Sequence, residues 1–234
     1  MSFGLGHDRE LDAGAVGVTA AELPPIPDAA MTDPLAARLD PRRWFEHPDR
    51  PFEIEIGSGK GTFILNHAAA NPGTNILGIE WAHEFYLYAA DRVRRAALNN
   101  VRMLNTDATV FLKWRMPDAI VGVVHLYFSD PWPKSRHHRR RVVQDLFLAQ
   151  VHRVLVPGGE LRIVTDHDEY WAWMETHFAR WCINGAAPGG SALFERAAFD
   201  PPEWVGEGQT VGTNYERKMC AERPPHACVL RKPS

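Results

Sequence analysis

Phe52-Glu53-Ile54-Glu55-Ile56-Gly57-Ser58-Gly59-Lys60-Gly61 is the stretch on which the fold turns. An alternating apolar run ends in three glycines at every second position, and Thr62-Phe63-Ile64-Leu65 then opens a segment of helical period. Such a turn lets bare backbone and the unpaired first amides of a helix approach a ligand. A dinucleotide fingerprint needs a further glycine where this chain has Thr62, so Gly57, Gly59 and Gly61 favour an adenosyl ligand without a pyrophosphate. Taken alone, the same residues also suit a plain strand-to-helix turn.

Beyond this stretch, short apolar runs alternate with longer segments of helical period. Strands are predicted at 52–56, 75–80, 101–105, 120–128 and 160–165, and helices at 62–70, 83–98, 109–115, 139–156 and 168–181. That order predicts an α/β fold, a mostly parallel central sheet with helices on both faces. Pro157-Gly158-Gly159 lacks one donor and bends freely, which stops a helix and turns it into a strand. Segments 213–218 and 226–231, joined by Arg223-Pro224-Pro225, read as a closing antiparallel pair at the C-terminal edge. Residues 1 to about 40, with Pro24-Pro25-Ile26-Pro27 and little periodicity, read as a mobile or loosely packed arm. The division expected is an arm at 1–45 and one domain at 46–234.

A net charge of −3 excludes a generally basic protein, so affinity for nucleic acid must come from local clustering. Lys134-Ser135-Arg136-His137-His138-Arg139-Arg140-Arg141 is such a cluster. The cysteines, Cys182, Cys220 and Cys228, form no close pair of the kind a zinc or redox site uses and read as reduced thiols. His137-His138 has no partner ligand at the spacing of a metal motif, so no metal is expected. No apolar run reaches a membrane span of about 18 residues, and the start is not ordered like a signal peptide, so a cytoplasmic protein is expected.

Glu80 ends the second predicted strand about 20 residues beyond the glycines, where an acid accepts hydrogen bonds from ribose hydroxyls. Asp107 follows the third strand, placed for the exocyclic amine of an adenine or, equally, as the N-cap of the next helix. Three loops at the carboxyl ends of successive strands form the region where open parallel sheets bind ligands. Trp171, Trp173 and Trp181, with Met174 and Phe178, are read as a core face.

The fourth strand leads into Phe128-Ser129-Asp130-Pro131-Trp132-Pro133-Lys134 and then the cationic run. With Thr165-Asp166 after the fifth strand and Thr213-Asn214-Tyr215-Glu216-Arg217-Lys218 near the end, this order of motifs resembles the bacterial tRNA (guanine-N7)-methyltransferases. The resemblance covers 52 to about 231. It implies the Rossmann-like fold of class I methyltransferases, with S-adenosyl-L-methionine as methyl donor and S-adenosyl-L-homocysteine as product. It also implies methylation of N7 of guanine 46 in the tRNA variable loop. Glu55 and Asp130 would border the cofactor, with Asp130 the catalytic-site acid. Lys134, Asp166, Thr213, Asn214, Tyr215 and Glu216 would contact the guanosine or its backbone, and Arg136, Arg139, Arg140 and Arg141 would form an RNA-docking surface. Many members carry basic residues after an initial Ser-Phe, whereas Ser2-Phe3 here precedes Gly4-Leu5-Gly6-His7. The partner expected is tRNA, with neither membrane nor metal, and the protein is read as a monomer or homodimer.

Guanine N7 carries a free lone pair, so attack on a sulfonium methyl group needs alignment and no general base. Trp132 is read as a stacking surface for an extruded base or as packing against the next helix. Two other readings compete. A nicotinamide-dependent oxidoreductase is disfavoured by Thr62, and an RNA-binding module without catalysis has no use for Glu80 or the glycine loop.

Overall fold

In the computed structural model, which describes residues 10–183, 192–219 and 224–234, four parallel strands are built by the first part of the chain. They are β1 (Gly17–Thr19), β2 (Phe52–Ile56), β3 (Asn75–Glu80) and β4 (Val101–Asn105), with helices α1 (Thr62–Ala70), α2 (His83–Arg95) and α3 (Ala108–Trp114). Here the sheet order is β1-β4-β3-β2, with Ile54 opposite Leu77 and Leu77 opposite Arg102. Every residue of β3 is buried, as expected of a strand covered on both faces. A side chain at Gly78 would run into Met103 and Ile64 at under 3 Å, so this glycine lets α1 lie close on the sheet. Tyr86, Ala89, Ala90 and Val93 form the helical stripe that α2 buries with Ile64, Ala68, Ile76, Val101 and Met103.

The segment read as a loose arm is packed where it is described. Val16 joins that core, Gly17–Thr19 pairs with Met103–Asn105, and Ala30 and Ala37 are buried. Arg115 donates to the carbonyls of Pro24 and Ala37, and Arg38 to that of Lys113. Arginine side chains bonded to backbone carbonyls do here what apolar periodicity does elsewhere, which is why composition suggested a loose arm. Ser2-Phe3 and the residues after them to 9 lie outside the described residues.

The chain divides into two units, Met1–Pro117 and Asp118–Ser234, where one domain from 46 onward was expected. The second contains β5 (Val121–Tyr127), α4 (Asp145–Val154), β6 (Leu155–Thr165), α5 (Asp168–Cys182), β7 (Glu195–Ala197), α6 (Asn214–Met219) and β8 (His226–Arg231). Its strand order is β5-β6-β8-β7; β5 and β6 are parallel, and β8 is antiparallel to both of its neighbours. Glu160 and Arg231 face each other across β6 and β8 and form an ion pair at 2.7 Å.

Three expectations are corrected in this unit. The helix expected at 139–156 is a 3₁₀ turn over Ser135–Arg140, an extended link, and then α4. The strand expected at 213–218 is α6, a helix, and β8 pairs instead with β6 and with the three-residue β7. Strand β6 begins at Leu155, ahead of Pro157-Gly158-Gly159; the register with β5 shifts around that tripeptide, where Gly158 has φ 76°. Cys182 and Cys228 are free thiols, and burial pushes that of Cys228 up to about 12. Cys220 and Arg223 lie outside the described residues.

Candidate active site

In the first unit, the candidate residues sit at the carboxyl ends of β2, β3 and β4. Gly57, Gly59 and Gly61 all have positive φ, at 74°, 52° and 70°, which side-chain-bearing residues rarely adopt. At Gly57 a Cβ would meet no atom within 4 Å, so the backbone there is open to approach. At Gly61 it would come within 2.9 Å of Ala89, so this glycine is required for the turn to sit on α2. The Gly59 N–H donates to Glu80 Oε2 at 2.8 Å and the Ala82 N–H to Oε1 at 2.9 Å, which fixes the Glu80 carboxylate and leaves lone pairs on both oxygens.

Glu55 is 4% exposed, and its Oε2 has no hydrogen-bond partner. Burial, and after it the charge of Glu80, pushes its pKa well above the usual carboxylate range. Ser58 Oγ is likewise buried and unpartnered. Asp107 is an N-cap of α3: Oδ1 accepts from the Thr109 and Val110 amides and from the Thr109 hydroxyl. Sequence reasoning passed over Trp81, whose indole follows Glu80 directly and is 73% exposed. Its adjacency to the acid was the available signal.

In the second unit, the candidate residues sit on β5, β6 and α6. Phe128 and Trp132 both have positive φ, 51° and 42°, so Asp130 stands in a turn bracketed by two strained residues. Asp130 and Lys134 are exposed. Trp132 is not core: it is half-buried, with the Arg140 guanidinium 4.9 Å from its ring centroid and His137 edge-on at 5.8 Å. Asp166, ending just past β6, accepts from the Tyr215 hydroxyl at 3.2 Å, and the Tyr215 ring lies 4.9 Å from that of Phe128. Residues far apart in sequence, Phe128, Asp166 and Tyr215, are thereby brought together. His167, not Asp166, caps α5, through the Tyr170 amide.

Two assignments are corrected by burial. Arg141 was expected on the docking surface but is 2% exposed; it donates to the Pro131 carbonyl and to Glu169, and lies over the rings of Tyr170 and Trp173. Glu216 was expected to touch the substrate but is 3% exposed, its carboxylate accepting the amides of Thr210, Val211 and Gly212. Thr213 accepts the Glu216 amide and starts α6, while Asn214 accepts from Arg217. Arg136, Arg139 and Arg140 remain exposed. Met174, Phe178 and Trp181 are buried, as a core face requires, whereas Trp171 and Trp173 are half-buried, Trp171 stacked on His226 and Trp173 under the Arg141 guanidinium.

A family model described as "Putative methyltransferase" matches residues 49–183. A tRNA (guanine-N(7)-)-methyltransferase of Nitrobacter hamburgensis is 36% identical over 85% of this chain and 73% of its own length. One from Streptococcus thermophilus is 35% identical over 82% and 85%. Among solved structures, the antibiotic-resistance methyltransferase Kmr is similar with a TM-score of 0.51 at 17% identity, covering 88% of this chain and 92% of its own. An rRNA methylase from Streptococcus thermophilus has a TM-score of 0.50 at 13% identity, covering 80% and 89%. These two likenesses show the Rossmann-like methyltransferase fold.

Proposed function

The chain belongs to the tRNA (guanine-N(7)-)-methyltransferase family, and we propose that it methylates N7 of guanine 46 in the variable loop of tRNA, with S-adenosyl-L-methionine as donor. When bound, S-adenosyl-L-methionine supplies an electrophilic methyl group on a sulfonium. The residues of the first unit fit such a ligand. The buried, unpartnered Glu55 Oε2 and Ser58 Oγ leave polar atoms to be satisfied. Glu80 retains lone pairs for ribose hydroxyls, and the Asp107 Oδ2 left over from capping suits an adenine amine. Trp81 offers an open aromatic face beside them.

The observation that carries the reading is the β5 exit, where Asp130 is exposed between two residues of positive φ. A carboxylate so held offers acceptors to the donors on the guanine Watson–Crick edge and negative charge to the purine as it becomes cationic. No proton has to leave N7, so alignment carries the catalysis, an effect of roughly 7–11 kcal/mol in well-oriented reactions. Lys134, Asp166, Thr213, Asn214 and Tyr215 are the candidates for holding the nucleoside and its backbone, Glu216 for shaping the segment that presents them, and Arg136, Arg139 and Arg140 for docking the RNA. Trp132 extends that surface. No helix among the described residues is long and apolar enough to cross a membrane, and we place the protein in the cytoplasm with its tRNA, acting without metal as a monomer or homodimer.

The test is methyl transfer from labelled S-adenosyl-L-methionine to unmodified tRNA, with the product mapped by chain cleavage at 7-methylguanosine. Label at the variable-loop guanine is the expected result. Label elsewhere, or none despite cofactor binding, overturns the substrate assignment.

A further inference from the structure

The glycine loop is gripped from α2 by a residue that no motif marks. Arg92 is half-buried, and its Nη1 donates to the Lys60 carbonyl and, at 3.5 Å, to the Thr62 hydroxyl. The Lys60 carbonyl and the Gly61 N–H belong to one peptide plane, and that N–H donates to the Ser58 carbonyl at 2.8 Å. Both ends of the plane are therefore tied. One residue earlier, the Gly59 N–H is held by Glu80. Without such ties, a run with glycine at every second position rotates more freely than ordinary backbone.

Arg92 shares its stretch of α2 with a second contact to the loop. Ala89, one helical turn before it, is the residue against which Gly61 packs with no room for a Cβ. Contact at Ala89 and hydrogen bonding at Arg92 thus make one face of α2 the seat of the loop. A charged donor to a carbonyl holds more strongly than a neutral one, and the Arg92 guanidinium is partly desolvated, which lowers its pKa without discharging it.

We propose that Arg92 is a positioning residue for the cofactor: it acts through the Lys60 carbonyl to hold loop 57–61 in the shape that receives S-adenosyl-L-methionine. This rests on the reading that the loop binds that cofactor. The experiment compares wild type, Arg92→Met, Arg92→Lys and, as a control on the same helix, Arg95→Met. Calorimetric titration with S-adenosyl-L-homocysteine is combined with hydrogen exchange at the Gly59 and Gly61 amides.

Arg92→Met is expected to weaken binding about tenfold, the size of effect a lost charge-assisted hydrogen bond gives, and to speed exchange at the loop with β3 and β4 unchanged. Arg92→Lys, which keeps a donor, should recover part of both losses, and Arg95→Met neither. In turnover the KM for the cofactor should rise, with kcat at saturation and the KM for tRNA near wild type. If Arg92→Met fails to fold, Arg92→Lys carries the comparison alone, with intermediate losses expected. Wild-type affinity and exchange in either folded Arg92 variant, or faster exchange spread evenly over the whole unit, would overturn the proposal. Wild type that binds no S-adenosyl-L-homocysteine would instead sink the functional reading itself.

Discussion

A single carboxyl group shows how far burial, helped by a neighbouring charge, can set a residue's behaviour. Glu55 is enclosed beside another acid, so its pKa in the folded chain lies well above its usual 4.5. Between those two values the folded chain holds a proton that the unfolded chain has released, so the stability of the cofactor-free protein falls as pH rises through that window. The slope approaches about 1.4 kcal/mol per pH unit while one proton separates the states. Glu55→Gln should flatten it, as checked by urea unfolding at several pH values above about 4.5; an unchanged slope would mean that Glu55 is not its source. Asp130 poses the opposite case, exposed and free of structural duty among the described residues. Asp130→Ala should lower methyl transfer about a hundredfold or more while S-adenosyl-L-homocysteine affinity stays within a few fold. Retained turnover would remove it from catalysis.

Among the elements, α6 shows what local sequence can and cannot disclose. Thr213-Asn214-Tyr215-Glu216 has the spacing of a helix-starting capping sequence, Thr followed three residues later by Glu, and so was legible as a helix. Segment 213–218 was read as strand because that signature was passed over. Nothing local says that the Glu216 carboxylate turns back to three amides at 210–212. Glu216→Ala would leave those donors without a partner and should cost about 2–4 kcal/mol in urea unfolding, with activity lost through a disordered segment. Unchanged stability with lost activity would return Glu216 to the substrate. Strands β2, β3, β4 and β8 and helix α1 fell within their expected bounds because short apolar runs and glycines are local signals. Strands β1 and β7, three residues each, carry no periodicity to read. The break between 140 and 145 depends on Glu169, Tyr170 and Trp173, which reach Arg141 only once the chain has folded.

At the scale of the whole molecule, a net charge of −3 means that RNA is attracted only where cations are concentrated and unspent. The run from Lys134 to Arg141 looks uniform in sequence, but the fold sorts it. Arg136 and Arg139 are exposed, Arg140 lies over Trp132, and Arg141 is buried in packing. Each phosphate contact contributes about 0.7–0.9 to the slope of log affinity against log salt. Arg136→Ala with Arg139→Ala should therefore reduce that slope by about 1.5 and weaken all tRNAs alike, because phosphate contacts carry no base information. Arg141→Ala should leave the slope unchanged and lower the urea midpoint, through about 1–3 kcal/mol of lost packing and cation–π contact. Binding titrations at several salt concentrations, run alongside urea unfolding, separate the two kinds of arginine. A slope that moves with Arg141 but not with Arg136 and Arg139 would mean that RNA docks on a surface this fold keeps closed.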